Sequence, residues 1–394
     1  MTLRGIALVA SFRRRLPVPN WRGCLAVILL AGLLFGCQRH PESAGDASGS
    51  YSPPQIGNAS NPSASILLPD IPLLCDDPVA WWCGPSAQSI LESDDHPHDV
   101  LTEWWYYTGH LRSDAGQRFG FEFVVFQSTR GSNPIGYLSH FAITDEANGR
   151  FAYDARAASV SRRPERLDLD VGGWTLFGNG GQDRLTASMD DYGIELDLFS
   201  QKPPALHHGG LISFGPAGDS YYFSRTRMTA TGRLRLGNSW SQVNGEAWHD
   251  HQWGNFIVPA VGGWDWISLQ LDDNRELMLT VLRSADGGPA GAFGSLVDAD
   301  GQTIDVPRES ISVQPTGSWT SPHTGANYPS GWRTFVNASP GVPAVELALT
   351  PVLADQELAL DRTAYWEGAV NVLGTLDGRQ TAGEGYVELT GYVP

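Results

Sequence analysis

One aspartate of the sequence lies between two indole rings, a setting suited to proton transfer. Asp265 stands between Trp264 and Trp266. On an extended strand, alternate side chains point to opposite faces, so Asp265 points away from both rings and shares a face with Ile267 and Leu269. Apolar surroundings raise the pKa of a carboxyl, as a general acid requires. The sequence therefore predicts Asp265 as a proton donor.

Two histidines close to this aspartate form a second candidate group. His249 and His251 share one strand face and Asp250 lies on the other. Trp248 and Trp253 flank these three residues and are candidate ring partners of Asp265. Three interpretations stay open for the histidines: acid–base catalysis, a structural hydrogen-bond network, or a metal pair. No third ligand can be identified for a metal. We therefore predict catalytic roles for both histidines and Asp250, with no metal and no cofactor.

An aromatic segment that begins at Glu103 is a candidate for ligand binding. It either lines a cavity or plugs the base of a barrel, and its expected contacts are Glu103, Trp104, Trp105 and Tyr107. The same ligand would meet the four tryptophans Trp248, Trp253, Trp264 and Trp266. Two acids near the C-terminus, Glu367 and Glu388, are expected to be satisfied structural groups, and His207 and His208 are expected to face solvent.

Charge and missing motifs exclude several classes of function. The chain has 26 basic and 43 acidic residues, and five of the basic ones are arginines within the first 36 positions, which hold no acid. So acidic a chain is unsuited to binding nucleic acid. The sequence has no G-x-S-x-G, H-E-x-x-H or G-x-G-x-x-G motif, so it shows no hydrolase nucleophile or dinucleotide fingerprint.

The N-terminal 36 residues are typical of a secretion signal. The apolar run from Cys24 to Phe35 has 12 residues, whereas a membrane-spanning helix needs about 20. It ends at Leu34-Phe35-Gly36-Cys37, which resembles the lipobox, so we predict lipidation of Cys37; a plain cleaved signal is the alternative. Gln38 follows the cysteine, which favours the outer membrane over the inner one. The expected location is the periplasmic face of the cell envelope.

Composition divides the rest of the chain. Residues 37–90 are rich in Ser, Pro and Gly and are predicted to form a flexible tether. In an oxidising compartment, Cys75 and Cys83 within it could form a local disulfide. Two domains follow, over residues 91–262 and 263–394.

Period-2 alternation of apolar residues predicts an all-β body. Phe119–Phe126, Ile194–Leu198 and Val345–Leu349 alternate as strands do. Turn signals separate such runs: Asp114 to Gly116, Asn148-Gly149, Asp272 to Asn274, Asp300-Gly301 and Asp377-Gly378. Many strands joined by short polar turns indicate a sandwich or barrel.

Four segments in this order and spacing resemble one family. They are Glu103–Leu111, Gly245–Gly254, Gly263–Leu271, and the pair Tyr365–Val370 with Gly385–Tyr392. Together they are similar to the carotenoid 1,2-hydratase/AttH family of lipocalin-like proteins. The resemblance implies two lipocalin-like antiparallel barrels side by side, and it implies functional His, Trp and acidic residues in the central region.

The family's members leave two functions open. The first is a hydratase-like enzyme that adds water to, or isomerises, a long apolar isoprenoid-like substrate in a barrel lumen. The second is a non-catalytic periplasmic carrier or chaperone for a lipid or apolar molecule, associated with an ABC-type export system. Hydration of an isolated double bond needs a protonated carboxylic acid, aromatic faces for a carbocation, and a base for the incoming water.

Overall fold

A computed structural model describes most of the C-terminal three quarters of the chain. The described residues are 94–129, 135–160, 164–214, 218–256, 262–284, 287–361 and 363–393. The predicted signal sequence and the whole of the predicted tether, with Cys37, Cys75 and Cys83, lie outside them.

The first sheet, barrel 1, is built from the N-terminal half of the described chain. Its strands are β1 (Thr102–Ser113), β2 (Arg118–Ser128), β3 (Ile135–Asp145), β4 (Arg150–Val160), β5 (Asp168–Val171), β6 (Trp174–Asn179), β7 (Gln182–Ser188), β8 (Tyr192–Ser200), β9 (Ala205–Ser213), β10 (Asp219–Leu236) and β11 (Ser239–Gly254). The order is β4-β3-β2-β1-β11-β10-β8-β7-β6-β5, with β9 also paired to β10. Strands β4 and β5 approach one another, so the sheet curls into a nearly closed antiparallel barrel.

The second sheet, barrel 2, is built from the C-terminal half. Its strands are β12 (Trp264–Leu271), β13 (Glu276–Arg283), β14 (Pro289–Val297), β15 (Thr303–Val306), β16 (Ile311–Pro315), β19 (Trp332–Val336), β20 (Val345–Pro351), β21 (Glu357–Leu360), β22 (Thr363–Leu376) and β23 (Arg379–Leu389). The order is β15-β14-β13-β12-β23-β22-β20-β19-β16, with β21 paired to β22. A separate hairpin joins β17 (Ser318–Thr320) and β18 (Asn327–Pro329).

These sheets confirm the predicted all-β fold with two barrels. All five predicted turns connect neighbouring strands, and the three segments predicted to alternate lie within β2, β8 and β20. Asp377 and Gly378 both have positive φ, 51° and 71°, as a two-residue type I′ hairpin requires. The predicted division at residue 262 lies between the end of β11 and the start of β12. Within the described residues, no helix is long and apolar enough to cross a membrane.

Side chains fill the interior of barrel 1. Trp105 and Tyr107 of β1 meet Phe121 and Phe123 of β2 in one continuous core, and all four are 0% exposed. Each such side chain contributes roughly 1.5–3 kcal/mol by leaving water. The axis at this level is therefore a packed core, which agrees with the interpretation that the aromatic segment plugs the barrel and not with the one in which it lines a cavity.

The outer faces of β1 and β11 are buried against barrel 2. Tyr106 packs edge-on to Trp266 with ring centroids 5.2 Å apart, and Trp248 packs edge-on to Trp266 at 6.1 Å. A Cβ on Gly120 would lie 2.4 Å from the Tyr386 hydroxyl oxygen, so only glycine permits this close approach. We call this contact region the inter-barrel layer.

Candidate functional site

The two predicted histidines lie inside barrel 1. Asp250 lies on the opposite face of β11, as predicted. The His249 ring stacks on Tyr107 at 4.3 Å, and neither of its nitrogens has a hydrogen-bond partner among the described residues. Burial, and then the charge of Arg225, lowers the pKa of His249 well below its usual value. The His249 and His251 rings are nearly parallel with centroids 6.4 Å apart, an arrangement unlike a pair of ligands to one ion.

His251 belongs instead to a buried polar cluster at one end of barrel 1. Its Nε2 lies 2.9 Å from Glu103 Oε1, and that oxygen also lies 2.7 Å from His98 Nδ1. Glu103 Oε2 accepts hydrogen bonds from the Gln127 amide at 2.8 Å and from the backbone N–H of His98 at 2.7 Å. Asp94 Oδ2 lies 3.0 Å from His98 Nε2. We call this group the His98–Glu103–His251 cluster.

The charges of this cluster follow from burial and pairing. Burial alone would lower the pKa of His98, but hydrogen bonds to Asp94 and Glu103 outweigh it and raise this pKa to about 9. Burial would raise the pKa of Glu103, but His251 and His98 lower it below its usual value. Burial lowers the pKa of His251. At neutral pH the cluster therefore contains a charged His98–Glu103 pair beside a neutral His251.

The short segment from Asp94 to His98 closes this end of the barrel. The Trp105 indole N–H donates to the carbonyl oxygen of Asp95 at 2.9 Å, and Arg225 forms an ion pair with the Asp95 carboxylate at 2.9 Å. The His98 ring stacks on Trp253 with ring centroids 4.4 Å apart.

Three of the four predicted contacts of the aromatic segment face the interior of barrel 1. They are Glu103, Trp105 and Tyr107.

Trp104 lies on the other face of β1. Its ring contacts Phe126 at 6.4 Å and Phe256 at 5.5 Å, and it packs against the inter-barrel layer. The structure thus does not bring the predicted aromatic contacts into a single cavity.

Asp250 lies at the centre of a satisfied hydrogen-bond network in the inter-barrel layer. Its carboxylate accepts from Tyr222 and from the Trp248 indole, each at 2.6 Å, and from Ser224. His207 Nε2 lies 2.7 Å from the Ser224 hydroxyl and is 0% exposed, so the prediction that His207 faces solvent is wrong. Burial raises the pKa of Asp250 to about 6, although the three donors oppose the shift. This arrangement matches the structural interpretation.

Asp265 lies apart from the histidines, on the barrel 2 side of β12. It accepts from the Tyr392 hydroxyl at 2.9 and 3.0 Å, and Arg283 Nη1 lies 3.8 Å away. Burial raises the pKa of Asp265 to about 6, which confirms the predicted direction, while Tyr392 and Arg283 oppose it.

The indoles beside Asp265 point to the opposite face, as predicted. Trp264 and Trp266 both pack in the inter-barrel layer. The suggestion that Trp248 or Trp253 would be the ring partner of the aspartate is wrong: Trp248 packs on Trp266 and Trp253 lies within barrel 1. The ring that Asp265 meets is that of Tyr392.

Three further carboxyl groups meet in the inter-barrel layer and form its acid cluster. Glu367 accepts from the Tyr106 hydroxyl at 2.7 Å, and Glu388 accepts from the Trp264 indole N–H at 2.8 Å. Glu122 lies 3.3 Å from the Tyr365 hydroxyl. The second oxygens of Glu122 and Glu367 are buried without a partner among the described residues. Glu367 is therefore not fully satisfied, contrary to the expectation for a structural acid.

Like charges in this acid cluster keep protons on it at neutral pH. Glu367 and Glu388 are directly opposite in the β22–β23 pairing, where two negative charges destabilise a sheet. Burial, and then Glu388 and Glu122, raise the pKa of Glu367 well above its usual value. Burial and Glu388 raise the pKa of Glu122 to about 8, and burial and Asp250 raise that of Glu388 to about 7.

A histidine and a tyrosine extend the acid cluster. His140 Nδ1 lies 2.7 Å from the Tyr365 hydroxyl, which in turn contacts Glu122. His140 Nε2 has no partner within the described structure, and burial lowers the pKa of this ring to about 3. A neutral imidazole here can accept a hydrogen bond from the tyrosine hydroxyl.

Glu367 and Glu388 were expected from the sequence only as structural acids, and Glu122 and His140 were not identified. Glu122 is the only charged residue in the predicted strand Phe119–Phe126. A single acid in an apolar strand is the sequence signal that could have identified it. His98 belongs to the segment Asp94-Asp95-His96-Pro97-His98, whose dense acidic and imidazole groups precede Glu103. Neither signal identifies its partners, because these come from strands far away in the sequence.

The fold and this site define a protein of two lipocalin-like barrels with buried acids between them. A model of the AttH-like family matches residues 85–392. The chain therefore belongs to the AttH-like family, as the resemblance predicted.

Solved structures agree with this assignment. A protein assigned as AttH from Nitrosomonas europaea is 32% identical, with a TM-score of 0.68 over 76% of this chain and 95% of that one. Kievitone hydratase from Nectria haematococca is 16% identical, with a TM-score of 0.61 over 73% of this chain and 88% of that one, which shows a shared fold. The comparison with curated proteins gives no match.

Proposed function

We propose that this protein is an envelope lipoprotein that adds water to an isolated double bond, or shifts that bond, in a long apolar isoprenoid-like substrate. The reaction takes place at the acid cluster of the inter-barrel layer. The observation that carries the proposal is the half-buried Glu388, whose pKa of about 7 suits a general acid and which lies beside the indole of Trp264.

The proposed proton donor differs from the one predicted from the sequence. Both oxygens of Asp265 accept from Tyr392, and the Arg283 cation lies close by, which would oppose a carbocation there. Glu388 stands opposite Trp266 in the β12–β23 pairing, so that acid and ring share a face. The indole faces needed to stabilise a cation are therefore available to Glu388 and not to Asp265.

One carboxyl group can complete the catalytic cycle. The Glu388 carboxylic acid transfers its proton to one carbon of the double bond, and the bond electrons leave a tertiary carbocation on the other carbon. The new carboxylate and the indole rings of Trp264 and Trp266 stabilise that cation. Water then attacks the cation, and its proton returns to Glu388, which restores the acid. Loss of a proton from the neighbouring carbon instead gives the isomer.

The other two acids of the acid cluster set the conditions for this step. Burial and neighbouring carboxylates raise the pKa of Glu122 to about 8 and that of Glu367 well above its usual value, so both carboxyl groups favour the protonated form. They therefore do not compete with Glu388 as carboxylates for the cation. Burial and the Asp250 carboxylate keep the proton on Glu388 until it is transferred to the substrate.

The pH dependence of the reaction tests the proposal. Because protonated Glu388 is the active form, kcat/KM should be constant below pH 7. Above pH 7 it should fall, and well above this pH it should fall tenfold for each pH unit. The measurement is incorporation of ¹⁸O from labelled water into lycopene in detergent, followed by mass spectrometry. Lycopene that binds and is recovered unchanged at every pH would instead support the carrier function.

The proposed lipid anchor has a separate test. Replacing Cys37 with Ser removes the thiol that would carry the acyl chains, each methylene of which contributes about 0.8 kcal/mol when buried. The variant should move from the membrane fraction to the soluble periplasmic fraction after cell lysis, with no change in hydration activity. A Cys24→Ser variant is the matched control and should stay in the membrane fraction, whereas membrane retention of the Cys37→Ser variant would exclude the anchor.

A further inference from the structure

We propose that the His98–Glu103–His251 cluster binds one divalent transition-metal ion, for which zinc is the best match. The three donor atoms are His98 Nδ1, Glu103 Oε1 and His251 Nε2, and all lie within 4.8 Å of one another. Two imidazoles and one carboxylate form a donor set that zinc accepts, with a fourth position for water. The site is separate from the acid cluster and independent of the proposed reaction.

The donor atoms need only a small separation to admit the ion. Glu103 Oε1 lies 2.7 Å from His98 Nδ1 and 2.9 Å from His251 Nε2. Tetrahedral zinc with bonds of about 2.0–2.2 Å would hold these atoms roughly 3.4 Å apart. The His98–Glu103 separation must therefore grow by about 0.7 Å and the His251–Glu103 separation by about 0.5 Å. His98 belongs to the segment before β1, outside the barrel strands, so this side chain can supply the larger of the two movements.

The groups around the donors are those that orient metal ligands in proteins. His98 Nε2 lies 3.0 Å from the Asp94 carboxylate, and His251 Nδ1 lies 3.1 Å from the Asp94 carbonyl oxygen. The second oxygen of Glu103 accepts from Gln127. Ligating histidines commonly donate their other N–H to a carboxylate or a backbone carbonyl, and ligating carboxylates are themselves hydrogen-bonded.

The hydrogen-bond partners of the His251 ring also favour a bound cation. Both of its ring nitrogens face oxygen acceptors, the Asp94 carbonyl and the Glu103 carboxylate. A neutral imidazole has a single N–H. Only one of these two oxygens can therefore receive a hydrogen bond from His251, and the other faces a ring lone pair in a fully buried position. With Nδ1–H donating to the Asp94 carbonyl, a cation between Nε2 and the Glu103 carboxylate would bind both, and the Nδ1 proton of His98 would leave to solvent as that nitrogen binds the ion.

A second set of possible donors lies next to the first. Asp94, His96 and His98 also come within 4.8 Å, but the His96 side chain is 49% exposed. The buried set is preferred because two of its ligands, Glu103 and His251, are held on the paired strands β1 and β11 and are 0% exposed. In this arrangement the ion fixes the segment Asp94–His98 over the end of barrel 1.

Zinc titration of the chelator-stripped protein tests the site. We expect one zinc ion per chain by calorimetry, and visible ligand-field bands of tetrahedral cobalt when Co²⁺ replaces it. Glu103→Gln and His98→Ala should abolish binding at this site, and Gln127→Ala should weaken it roughly 10–100-fold. His96→Ala, and His323→Ala as a matched control for an acid-paired, partly exposed histidine, should bind as the unmodified protein does.

Three results would overturn the proposal. They are the absence of stoichiometric zinc binding, undiminished affinity in Glu103→Gln, and loss of binding in His96→Ala. Near-UV circular dichroism of the buried tryptophans checks that each variant is folded. If Glu103→Gln does not fold, His98→Ala decides, because its side chain lies outside the barrel strands; undiminished zinc affinity in that variant then counts against the site.

Discussion

Replacing Glu388 with Gln is expected to lower kcat for lycopene hydration by about 10²–10⁴-fold, the usual loss on removing a general acid. The amide has the same shape, and its oxygen can still accept from the Trp264 indole, which lies 2.8 Å from the carboxyl in the native protein. It has no acidic proton to transfer to carbon. Binding of lycopene, measured by quenching of tryptophan fluorescence, should change little.

Two further variants make this result specific. Glu367→Gln is the matched control, because Glu367 stands opposite Glu388 and its pKa is raised well above the usual value, which favours the neutral acid; its activity should stay within a few fold. Asp265→Asn should also remain active. Loss of hydration in Asp265→Asn with retention in Glu388→Gln would transfer the donor role to the barrel 2 aspartate and contradict the mechanism proposed here.

The all-β class and its turns could be predicted from the sequence because their signals are local, whereas the pair of barrels was implied by the family resemblance. Apolar alternation in Val345–Leu349 and a turn at Asp377-Gly378 each depend on a few neighbouring residues. The same local rule correctly placed Asp265 opposite Trp264 and Trp266. This rule does not predict whether a given face of a strand points into barrel 1, into barrel 2 or into the layer between them.

The candidate sites could not be predicted for that reason. Glu122 and Tyr365 are separated by 243 positions, and their contact depends on how one barrel packs on the other. His98 and His251 likewise meet through Glu103 only because β1 pairs with β11. Such long-range contacts leave no trace in local periodicity, so the third donor beside His251 was not identifiable from the sequence.

The contact between the barrels includes a buried ion network whose loss should have a large effect on stability. Glu276 of β13 accepts from Lys202 at 2.8 and 3.0 Å, from Arg227 Nε at 2.6 Å and from Thr226 at 3.1 Å. A register shift in β10 between Arg225 and Met228 directs Thr226 and Arg227 toward this one carboxylate. The network joins barrel 1 to barrel 2.

Glu276→Gln should therefore lower the free energy of unfolding by roughly 3–5 kcal/mol, because it leaves the buried Lys202 without a carboxylate and Arg227 with only the exposed Glu246 as its partner. The measurement is urea unfolding followed by tryptophan fluorescence. Glu346→Gln breaks the exposed Arg333–Glu346 pair and should cost only about 0–1 kcal/mol. Combining Lys202→Met with Glu276→Gln should cost less than the sum of the single changes, because the lysine charge is no longer left buried. Equal small losses in Glu276→Gln and Glu346→Gln would show that solvent reaches this ion network and that the other contacts of the inter-barrel layer hold the barrels together.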